Sequence, residues 1–378
     1  MSDPIALVEA ARAHVRDVVN PSIDGWQQRD RFPREAVADA ARSGLTGLYA
    51  PTERGGQALS PGQAAPVFEE LGRGDGMYGF TLSMHNLVTM ATSMAVVDTS
   101  AGQWTERLAA GKALGSFLVT EHAGGSDPIG AMTTRASADG DGWVLNGAKA
   151  WASLAGDADV YAVVCRSGEA ESGIKDMMMV LVAADDPGVR VTRIYDKSTA
   201  RFLPIGDLEF SDVRLDVGRV IAPAGQGFQL AMAAIDIARL NIAAGAVGLA
   251  VTALQIAVQD AASRRLFGSR VLDLQANQFA LADVETSIQA GRLLYRRAGE
   301  LTGQPGGTVA IAHAKRFCPD AAVEAAITCT RVMGANGSLT THPMPRLLAL
   351  AQLLTMVDGA SGVQRLLIGR ELARRVDA

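Results

Sequence analysis

The sequence predicts an α+β fold with an N-terminal helical domain, a middle antiparallel β-sandwich or barrel, and a C-terminal four-helix bundle. Two patterns indicate this fold. Apolar residues recur at helical spacing through residues 1–114 and again through residues 219–378. Residues 115–218 instead contain short apolar runs separated by glycines and by Asp-Gly and Asp-Pro-Gly turns, a spacing typical of a small antiparallel sandwich or barrel. We therefore place the domain boundaries after residues 114 and 218.

The chain has 378 residues, which is enough for two or three domains and a large core. Its net charge of −5 and the lack of any basic run argue against a nucleic-acid partner. The cysteines, Cys165, Cys318 and Cys329, have no metal-ligand spacing and no even pairing, which predicts no metal site and suits a reducing cytoplasm. The N-terminus does not resemble a signal peptide, and no stretch reaches the length and purity of a membrane span. We expect a cytoplasmic protein that binds no membrane.

The N-terminal part is predicted to be helical. Its first helix has one apolar face, formed by Ile5, Val8, Val15 and Val18. A second helix is predicted for residues 61–71, and residues 81–97 are apolar and long enough for a buried helix. His85 lies in this last segment, where we interpret it as a core histidine, with a pocket-lining role as the alternative.

The middle and C-terminal parts differ in the length of their apolar segments. The middle part has strand-length runs at residues 142–153, 159–165, 177–183, 188–194 and 207–215. The C-terminal part has helix-length segments at residues 228–266, 275–301, 309–333, 343–357 and 363–376. Pro319 is expected to kink or divide the third of these helices.

One stretch in the middle part carries a ligand-binding pattern. An apolar run from Gly115 ends at Thr120, and a turn of small residues follows that contains Gly124, Gly125 and Ser126. Such a turn brings backbone N–H groups and two hydroxyls together, and its glycines let a planar ligand or a phosphate lie close to the backbone. Taken alone, the turn is better explained as a plain hairpin loop.

A second stretch, Leu-Asn-Gly-Ala-Lys-Ala-Trp-Ala-Ser at residues 145–153, changes this interpretation. The two stretches together resemble the paired flavin-contacting signatures of the acyl-CoA dehydrogenase family, T-E-x-x-A-G-S-D and L-N-G-x-K-x-W-I-T. Ser153 stands in the place of the last threonine, and the resemblance extends from about Arg42 to the end of the chain.

The resemblance implies an oxidoreductase of fatty acid metabolism that uses FAD. Such an enzyme oxidises the CH–CH bond of an acyl thioester, with CoA as the expected thiol, to the α,β-enoyl product. Its expected electron acceptor is an electron-transfer flavoprotein. The resemblance also implies the order of domains stated above.

The resemblance further assigns residues to the flavin. Trp151 lies against the ring, and the hydroxyls of Thr120 and Ser153 reach its edge. Ser126 faces the substrate thioester or the pyrophosphate, so it counts as a ligand of both cofactor and substrate.

Three further segments resemble cofactor-binding blocks of the family. The R-x-x-F-G…Q block corresponds to Arg264, Phe267 and Gln275, and its arginine fork binds the pyrophosphate of a flavin held mainly by a neighbouring subunit. The Q-x-x-G-G-N-G turn under the adenosine half corresponds to Arg331, Gly334 and Ala335, with Arg and Ala replacing the family's Gln and second Gly. Ser361 completes the cofactor set. A cofactor shared across a subunit boundary implies a homo-oligomer, either a dimer or a tetramer.

The catalytic base is assigned to Asp358. Residues 357–360 read Val-Asp-Gly-Ala where much of the family has Y-E-G-T with a catalytic glutamate. The missing methylene moves the carboxylate back by roughly 1–1.5 Å. Burial should raise its pKa because desolvation disfavours the anion. As the alternative, Asp358 only caps the following helix.

Other positions make the chain an atypical member. Some branches carry their base directly before an arginine, but the matching residue here is Ala238, which cannot abstract a proton. Asp236 and Arg239 match substrate-contacting residues, and Arg239 is expected near the base. The family's Arg-Asp pair upstream of the base is replaced by Ala349 and Leu350.

Two alternative functions follow from these departures. An aspartate base fits a flavin oxidase of the nitroalkane oxidase kind. The lost pair and the shortened base fit a catalytically weakened subunit that binds acyl-CoA esters.

Overall fold

The computed structural model describes residues 3–29, 31–95, 99–127, 130, 132–168 and 173–376. The chain folds into two compact units. The first comprises residues 1–10, 21–60 and 81–238, and the second comprises residues 11–20, 61–80 and 239–378. The N-terminal helices therefore contribute to both units, and the boundaries after residues 114 and 218 remain a prediction made along the chain.

The N-terminal part is helical, as expected. Its helices are α1 (Pro4–His14), α2 (Asn20–Trp26), α3 (Arg34–Arg42), α4 (Pro61–Gly74), α5 (Gly76–Met94) and α6 (Trp104–Ala109). The predicted face of the first helix is only partly correct, because Val15 is buried but Ile5 is 74% exposed and Leu7, Ala11 and Val19 are buried instead. Helix α1 carries apolar residues on adjacent faces, so periodicity alone could not select the buried one.

The middle part forms one eight-stranded sheet. Its strands are β1 (Gly115–Leu118), β2 (Arg135–Asp139), β3 (Gly142–Ser153), β4 (Val160–Ser167), β5 (Met177–Ala183), β6 (Val189–Ile194), β7 (Ile205–Leu215) and β8 (Val220–Ala222). The order is β6-β7-β3-β2-β4-β5-β8, with β1 beside β4. Most pairs are antiparallel, but β1 and β2 both pair with β4 in parallel. The sequence runs predicted β3 and β5 to the residue and missed β2 and β8, which are short.

A buried cluster holds helices against the sheet of the first unit. It includes Val88 from α5 and Leu108 from α6, together with Val160, Met177 and Met179 from the sheet. Burying these aliphatic groups removes apolar surface from water, which is the main driving force for this packing.

His85 belongs to the same interior. Its Nδ1 accepts a hydrogen bond from the Gly115 amide at 3.2 Å, and its Nε2 donates to the Leu108 carbonyl at 3.1 Å. Burial lowers the pKa of His85 to about 4, so the ring is neutral. His85 is a core histidine that ties α5 to the start of β1, and the pocket-lining alternative is wrong.

The C-terminal part begins with one long helix. It contains α7 (Gly227–Ser263), the short strands β9 (Arg265–Leu266) and β10 (Ser269–Arg270), α8 (Gln275–Leu301), α9 (Gly307–Met333), α10 (Met344–Leu354) and α11 (Ser361–Arg374). Helix α9 continues through Pro319, so that proline does not divide it. In the second unit α4 crosses α7 at glycines, because a Cβ on Gly72 would lie 2.1 Å from the Gly245 carbonyl oxygen.

Helix α7 also corrects one expectation. By length and composition it could cross a membrane, with a mean hydropathy of 1.8 over its most apolar window. The expectation that no stretch meets these criteria is therefore wrong. Within the protein 61% of that window is buried, and core helices meet the same two criteria. The absence of a membrane partner remains a prediction.

Candidate active site

The first unit brings the two signature stretches side by side. Strand β1 leads to Thr120, whose carbonyl oxygen accepts a hydrogen bond from the Ala150 amide of β3 at 2.9 Å. Thr120 and Trp151 are therefore neighbours, although 30 residues separate the two bonded positions. The two motifs therefore lie next to each other in this unit.

A buried ion pair locks the two stretches together. The ammonium of Lys149 lies 2.9 Å from Glu121 Oε1, and both side chains are almost completely buried. Burial alone would raise the pKa of Glu121, but Lys149 and hydrogen bonds from Thr133 and Thr134 outweigh it and lower that pKa to about 2. Because Glu121 follows Thr120 and Lys149 precedes Trp151 by two residues, the pair fixes both candidate flavin contacts.

Trp151 presents its indole to solvent. The side chain is 60% exposed, and its backbone has a φ of 57°, at an irregularity in the β3–β7 pairing. One face stacks on Tyr195, with ring centroids 4.3 Å apart and an interplanar angle of 17°. Ser153, two residues later, is buried, and its carbonyl accepts a hydrogen bond from Ser116 Oγ at 2.7 Å.

Besides Trp151, Tyr195 contacts polar and charged side chains. Its hydroxyl donates to Asp207 at 2.6 Å, and His122 Nε2 lies 3.2 Å from the other oxygen of Asp207. The guanidinium of Arg193 lies 4.8 Å from the Tyr195 ring centroid. Tyr195 is therefore held between a cation and the indole of Trp151.

In the second unit the two segments predicted to bind the cofactor meet at Asp260. Arg264 Nε donates to Asp260 at 2.6 Å and its Nη2 donates to the Val332 carbonyl at 2.7 Å. Asn336, in the second block, donates to the other oxygen of Asp260 at 3.0 Å. Asp260 therefore joins the R-x-x-F-G block to the R-x-x-G-A-N-G turn.

The helix predicted to reach residue 266 ends at Ser263. Residues 265–270 form the β9–β10 hairpin instead, with Phe267 at its tip and 96% exposed. Two positive φ angles, at Phe267 and Gly268, make the tight turn. Gln275 is the first residue of α8 and is exposed.

The other proposed cofactor residues lie at the ends of helices. Arg331 is exposed in the last turn of α9 and lines a groove of about 390 Å³ with residues of α8. Gly334 ends α9 with a φ of 61°, and Ala335 follows it in an exposed position. Ser361 begins α11, and its hydroxyl donates to Asp320 at 3.0 Å.

Asp358 lies in the loop of residues 355–360, between α10 and α11. Its backbone has a φ of 50°, and its Oδ2 is fully buried without a hydrogen-bond partner among the described residues. Burial raises the pKa of Asp358 to about 6, against the opposing charges of Lys315 and Arg239. The N-cap of α11 is Ala360 and makes no side-chain bond, so the capping alternative for Asp358 is wrong.

The backbone of this loop is held from three helices. Arg239 of α7 donates to the Asp358 carbonyl at 3.1 Å, as expected from its assignment near the base. Lys315 of α9 donates to the Leu354 carbonyl at 2.8 Å, and Gln364 of α11 donates to the Gly359 carbonyl at 3.0 Å. Asp236 precedes Arg239 by three residues on α7 and is half-buried.

Comparison with protein families decides the relationship. The acyl-CoA dehydrogenase N-terminal, middle and C-terminal domain models match residues 2–112, 116–213 and 225–373, respectively. The chain belongs to the acyl-CoA dehydrogenase family. The helical ends and the middle sheet are those of the family's solved structures.

Relatives and solved structures agree with this membership. The mitochondrial isobutyryl-CoA dehydrogenase of Dictyostelium discoideum is 32% identical over 361 residues, covering 95% of this chain and 86% of that protein. Butyryl-CoA dehydrogenase from Megasphaera elsdenii superposes with a TM-score of 0.92 at 25% identity, covering 99% of each chain. A chain from a structure described as the electron transferring flavoprotein of Acidaminococcus fermentans gives a TM-score of 0.93 at 28% identity, covering 99% of this chain and 98% of that one.

This acyl-CoA dehydrogenase is an oxidoreductase that uses FAD, as its family membership shows. The residues of the first unit fit a flavin. An exposed indole offers a flat apolar surface, and the half-exposed Thr120 lies next to a turn whose glycines leave the backbone open. Ser126 is exposed in that turn, while residues 128, 129 and 131 of the same stretch lie outside the described residues.

Sequence reasoning missed several residues of this acyl-CoA dehydrogenase. Glu121 and Lys149 stood inside the quoted motifs, so their opposite charges were a usable signal. Tyr195, Asp260 and Lys315 lie outside every motif, and only their contacts reveal them. Among the described residues no group of acids, histidines and cysteines could hold a metal ion.

Proposed function

We propose that this acyl-CoA dehydrogenase oxidises a short-chain acyl-CoA to its α,β-enoyl product, with Asp358 removing the α-proton. One observation supports the base assignment above all others. Among the described residues the buried Oδ2 of Asp358 has no donor, whereas the carbonyls of Leu354, Asp358 and Gly359 each accept a hydrogen bond. A buried acceptor normally has a partner, so its absence here leaves the oxygen free to take a proton.

The pKa of Asp358 suits this role. With a pKa raised to about 6 by burial, the carboxylate is mainly ionised at neutral pH and is more basic than an ordinary aspartate. The α-carbon loses its proton to Asp358, and the thioester carbonyl stabilises the developing negative charge. Bound FAD supplies the acceptor for the β-hydrogen and its two electrons, which balances the oxidation.

The names of the relatives support the choice of substrate and partner. Isobutyryl-CoA and butyryl-CoA name the reactions of two similar proteins, and both carry short acyl chains. We infer Ser126, Asp236 and Arg239 as substrate contacts. We also infer an electron-transfer flavoprotein as acceptor, in line with the description of one similar structure, and a cytoplasmic homo-oligomer.

The test is anaerobic bleaching of the bound flavin by a panel of acyl-CoA esters. The wild-type protein should be bleached fastest by a short-chain ester. Asp358→Asn should retain FAD and its bleaching by dithionite, but bleaching by substrate should slow by roughly 10²–10⁴-fold because the base is lost. Bleaching at the wild-type rate in this variant would refute the assignment.

A flavin oxidase of the nitroalkane oxidase kind is the second candidate, because Asp358 stands where most of the family has glutamate. An oxidase of this kind should be bleached by nitroalkanes, reoxidise rapidly in O₂ and release peroxide. A protein that holds FAD and responds to neither class of compound would instead fit the weakened subunit.

A further inference from the structure

Lys315 is a buried cation to which the proposed chemistry gives no role. Its side chain lies in the middle of α9 and has no exposed surface. Buried lysines are normally paired with a carboxylate. Among the described residues Lys315 has no ion-pair partner, and its one hydrogen bond runs to the carbonyl of Leu354 at 2.8 Å. Its position therefore calls for a reason other than pairing.

That hydrogen bond lies at the C-terminal end of α10. Leu354 is the last residue of α10, where the unpaired carbonyls carry partial negative charge. A cation bound to such a carbonyl is stabilised by the helix dipole, which offsets part of the cost of burying an ammonium group. Residue 355 starts the loop that carries Asp358, so Lys315 fixes the point at which this loop leaves the helix.

Two further side chains bond to backbone carbonyls of the loop, at and next to Asp358. Arg239 holds the carbonyl of Asp358 and Gln364 holds that of Gly359. Because Lys315 bonds to the backbone instead of the carboxylate, its charge acts on Asp358 without occupying the oxygen that must accept a proton. Asp358 itself has no ion-pair partner among the described residues.

We propose that Lys315 is a positioning residue for Asp358, which anchors the loop through Leu354 and supplies a positive charge that favours the ionised carboxylate. This inference rests on Asp358 being the base of the proposed reaction. Lys315 acts through Asp358 and does not itself touch the substrate.

The surrounding charges define the expected pH dependence. The groups that act on Asp358 are Lys315 and Arg239, and both oppose the rise of its pKa caused by burial. Burial lowers the pKa of Lys315 to about 8, so the ammonium is mainly charged at neutral pH. Asp320 and Cys318 of α9 also act on Lys315, and Asp320 is itself paired with Arg365 at 3.2 Å.

The experiment measures kcat/KM against pH in the FAD-loaded enzyme with its best acyl-CoA substrate. The acid limb of the wild type should lie near pH 6, the pKa of Asp358. Lys315→Met removes the charge and the donor, whereas Lys315→Gln removes only the charge. Both should move the acid limb to higher pH, on the order of 1 unit for the loss of a nearby opposite charge. Lys315→Arg should restore the wild-type limb.

A second measurement tests the hydrogen bond between Lys315 and the Leu354 carbonyl independently of catalysis. Hydrogen exchange of the amides in residues 355–360 should speed up in Lys315→Met and less so in Lys315→Gln, which keeps a donor. Lys175→Gln is the matched control, because Lys175 is exposed and belongs to the first unit, whereas Lys315 belongs to the second. This substitution changes the net charge by the same amount as Lys315→Gln. It should leave both the pH limb and the exchange rates unchanged.

The outcomes separate this inference from the proposed function. If Asp358→Asn abolishes bleaching while Lys315→Met and Lys315→Gln keep the wild-type acid limb, the role of Lys315 is refuted and the base stands. If Asp358→Asn is bleached normally, both are refuted. Should Lys315→Met fail to fold, Lys315→Gln and Lys315→Arg still decide, because an equal shift in both would exclude the charge as the cause.

Discussion

Asp358 differs from most buried charged side chains of this protein. Glu121 pairs with Lys149, Asp75 with Arg346, and Arg166 with Asp176, at distances of 2.8 or 2.9 Å. Such pairs offset the cost of removing a charge from water. Among the residues that the structure describes, the carboxylate of Asp358 has no such bond, so its ionisation weakens folding. A residue that lowers stability in this way is typical of a functional site.

This cost predicts how Asp358→Asn changes stability with pH. The pKa of Asp358 is 3.8 in the ordinary state and about 6 in the folded protein. Its favourable contribution to folding is therefore complete below pH 3.8 and is lost as the pH rises through 6. The free energy of unfolding of Asp358→Asn, relative to that of the wild type, should rise by on the order of 1–3 kcal/mol between pH 4 and pH 8. Urea unfolding at both pH values measures this gain, and an equal difference at both would contradict the unpaired carboxylate.

The conformation of the loop of residues 355–360 depends on residues that can adopt positive φ angles. Two consecutive residues, Asp358 and Gly359, have φ angles of 50° and 95°, in the left-handed region. Aspartate tolerates this conformation better than most residues, and glycine adopts it without strain. The turn therefore sets the direction of the Asp358 side chain. The side chains of Arg239, Lys315 and Gln364 hold the backbone at and next to the loop.

At the scale of this loop, Gly359→Ala should be harmful. A Cβ at Gly359 would lie 2.8 Å from Gln364 Nε2 and 3.1 Å from Arg239 Nη2, and the positive φ adds strain. We expect a loss of about 1–3 kcal/mol in stability and a fall in kcat, measured by urea unfolding and by flavin bleaching.

Gly362→Ala is the matched control for this prediction. Gly362 lies in the first turn of α11 and an added Cβ would meet nothing within 4 Å. It should stabilise the protein by up to about 1 kcal/mol and leave activity unchanged. Equal effects of the two substitutions would show that the geometry of the loop does not matter.

At the scale of the whole molecule, the β9–β10 hairpin points to assembly. Phe267 is 96% exposed and Leu266 is 47% exposed at its tip, a position where a lone chain would leave apolar surface in water. The family resemblance assigns this block to the cofactor of a neighbouring subunit. We therefore expect the exposed ring to be covered in a dimer or tetramer.

Phe267→Ser tests this expectation. The variant should lose FAD during gel filtration and should sediment as a smaller species than the wild type, because it removes the apolar tip. Ile5→Ser serves as the control, since Ile5 is also exposed, at 74%, but lies on α1. A wild type that sediments as a monomer, or an unchanged FAD content in Phe267→Ser, would argue against the shared cofactor.

The sequence predicted the regular elements well where the apolar pattern extended over many residues. Helix α8 and strands β3 and β5 begin and end at the predicted residues, because each carries a sustained apolar pattern. Short elements gave too few residues to establish a period, so β2, β8 and the β9–β10 hairpin were missed. Pro319 does not divide α9, and the kink expected at that residue stays a prediction.

By itself the sequence determined the family, the fold class and the cofactor, and it predicted Asp358 as the base. These properties reside in contiguous motifs and in periodic burial, both of which are local along the chain. Only the tertiary structure decided that Lys315 bonds to the carbonyl before the loop of Asp358, that Asp260 joins the two predicted cofactor blocks, and that Tyr195 stacks on Trp151. Each of these contacts joins residues far apart in sequence, and no local pattern of side chains encodes which distant partner a buried charge or ring will meet.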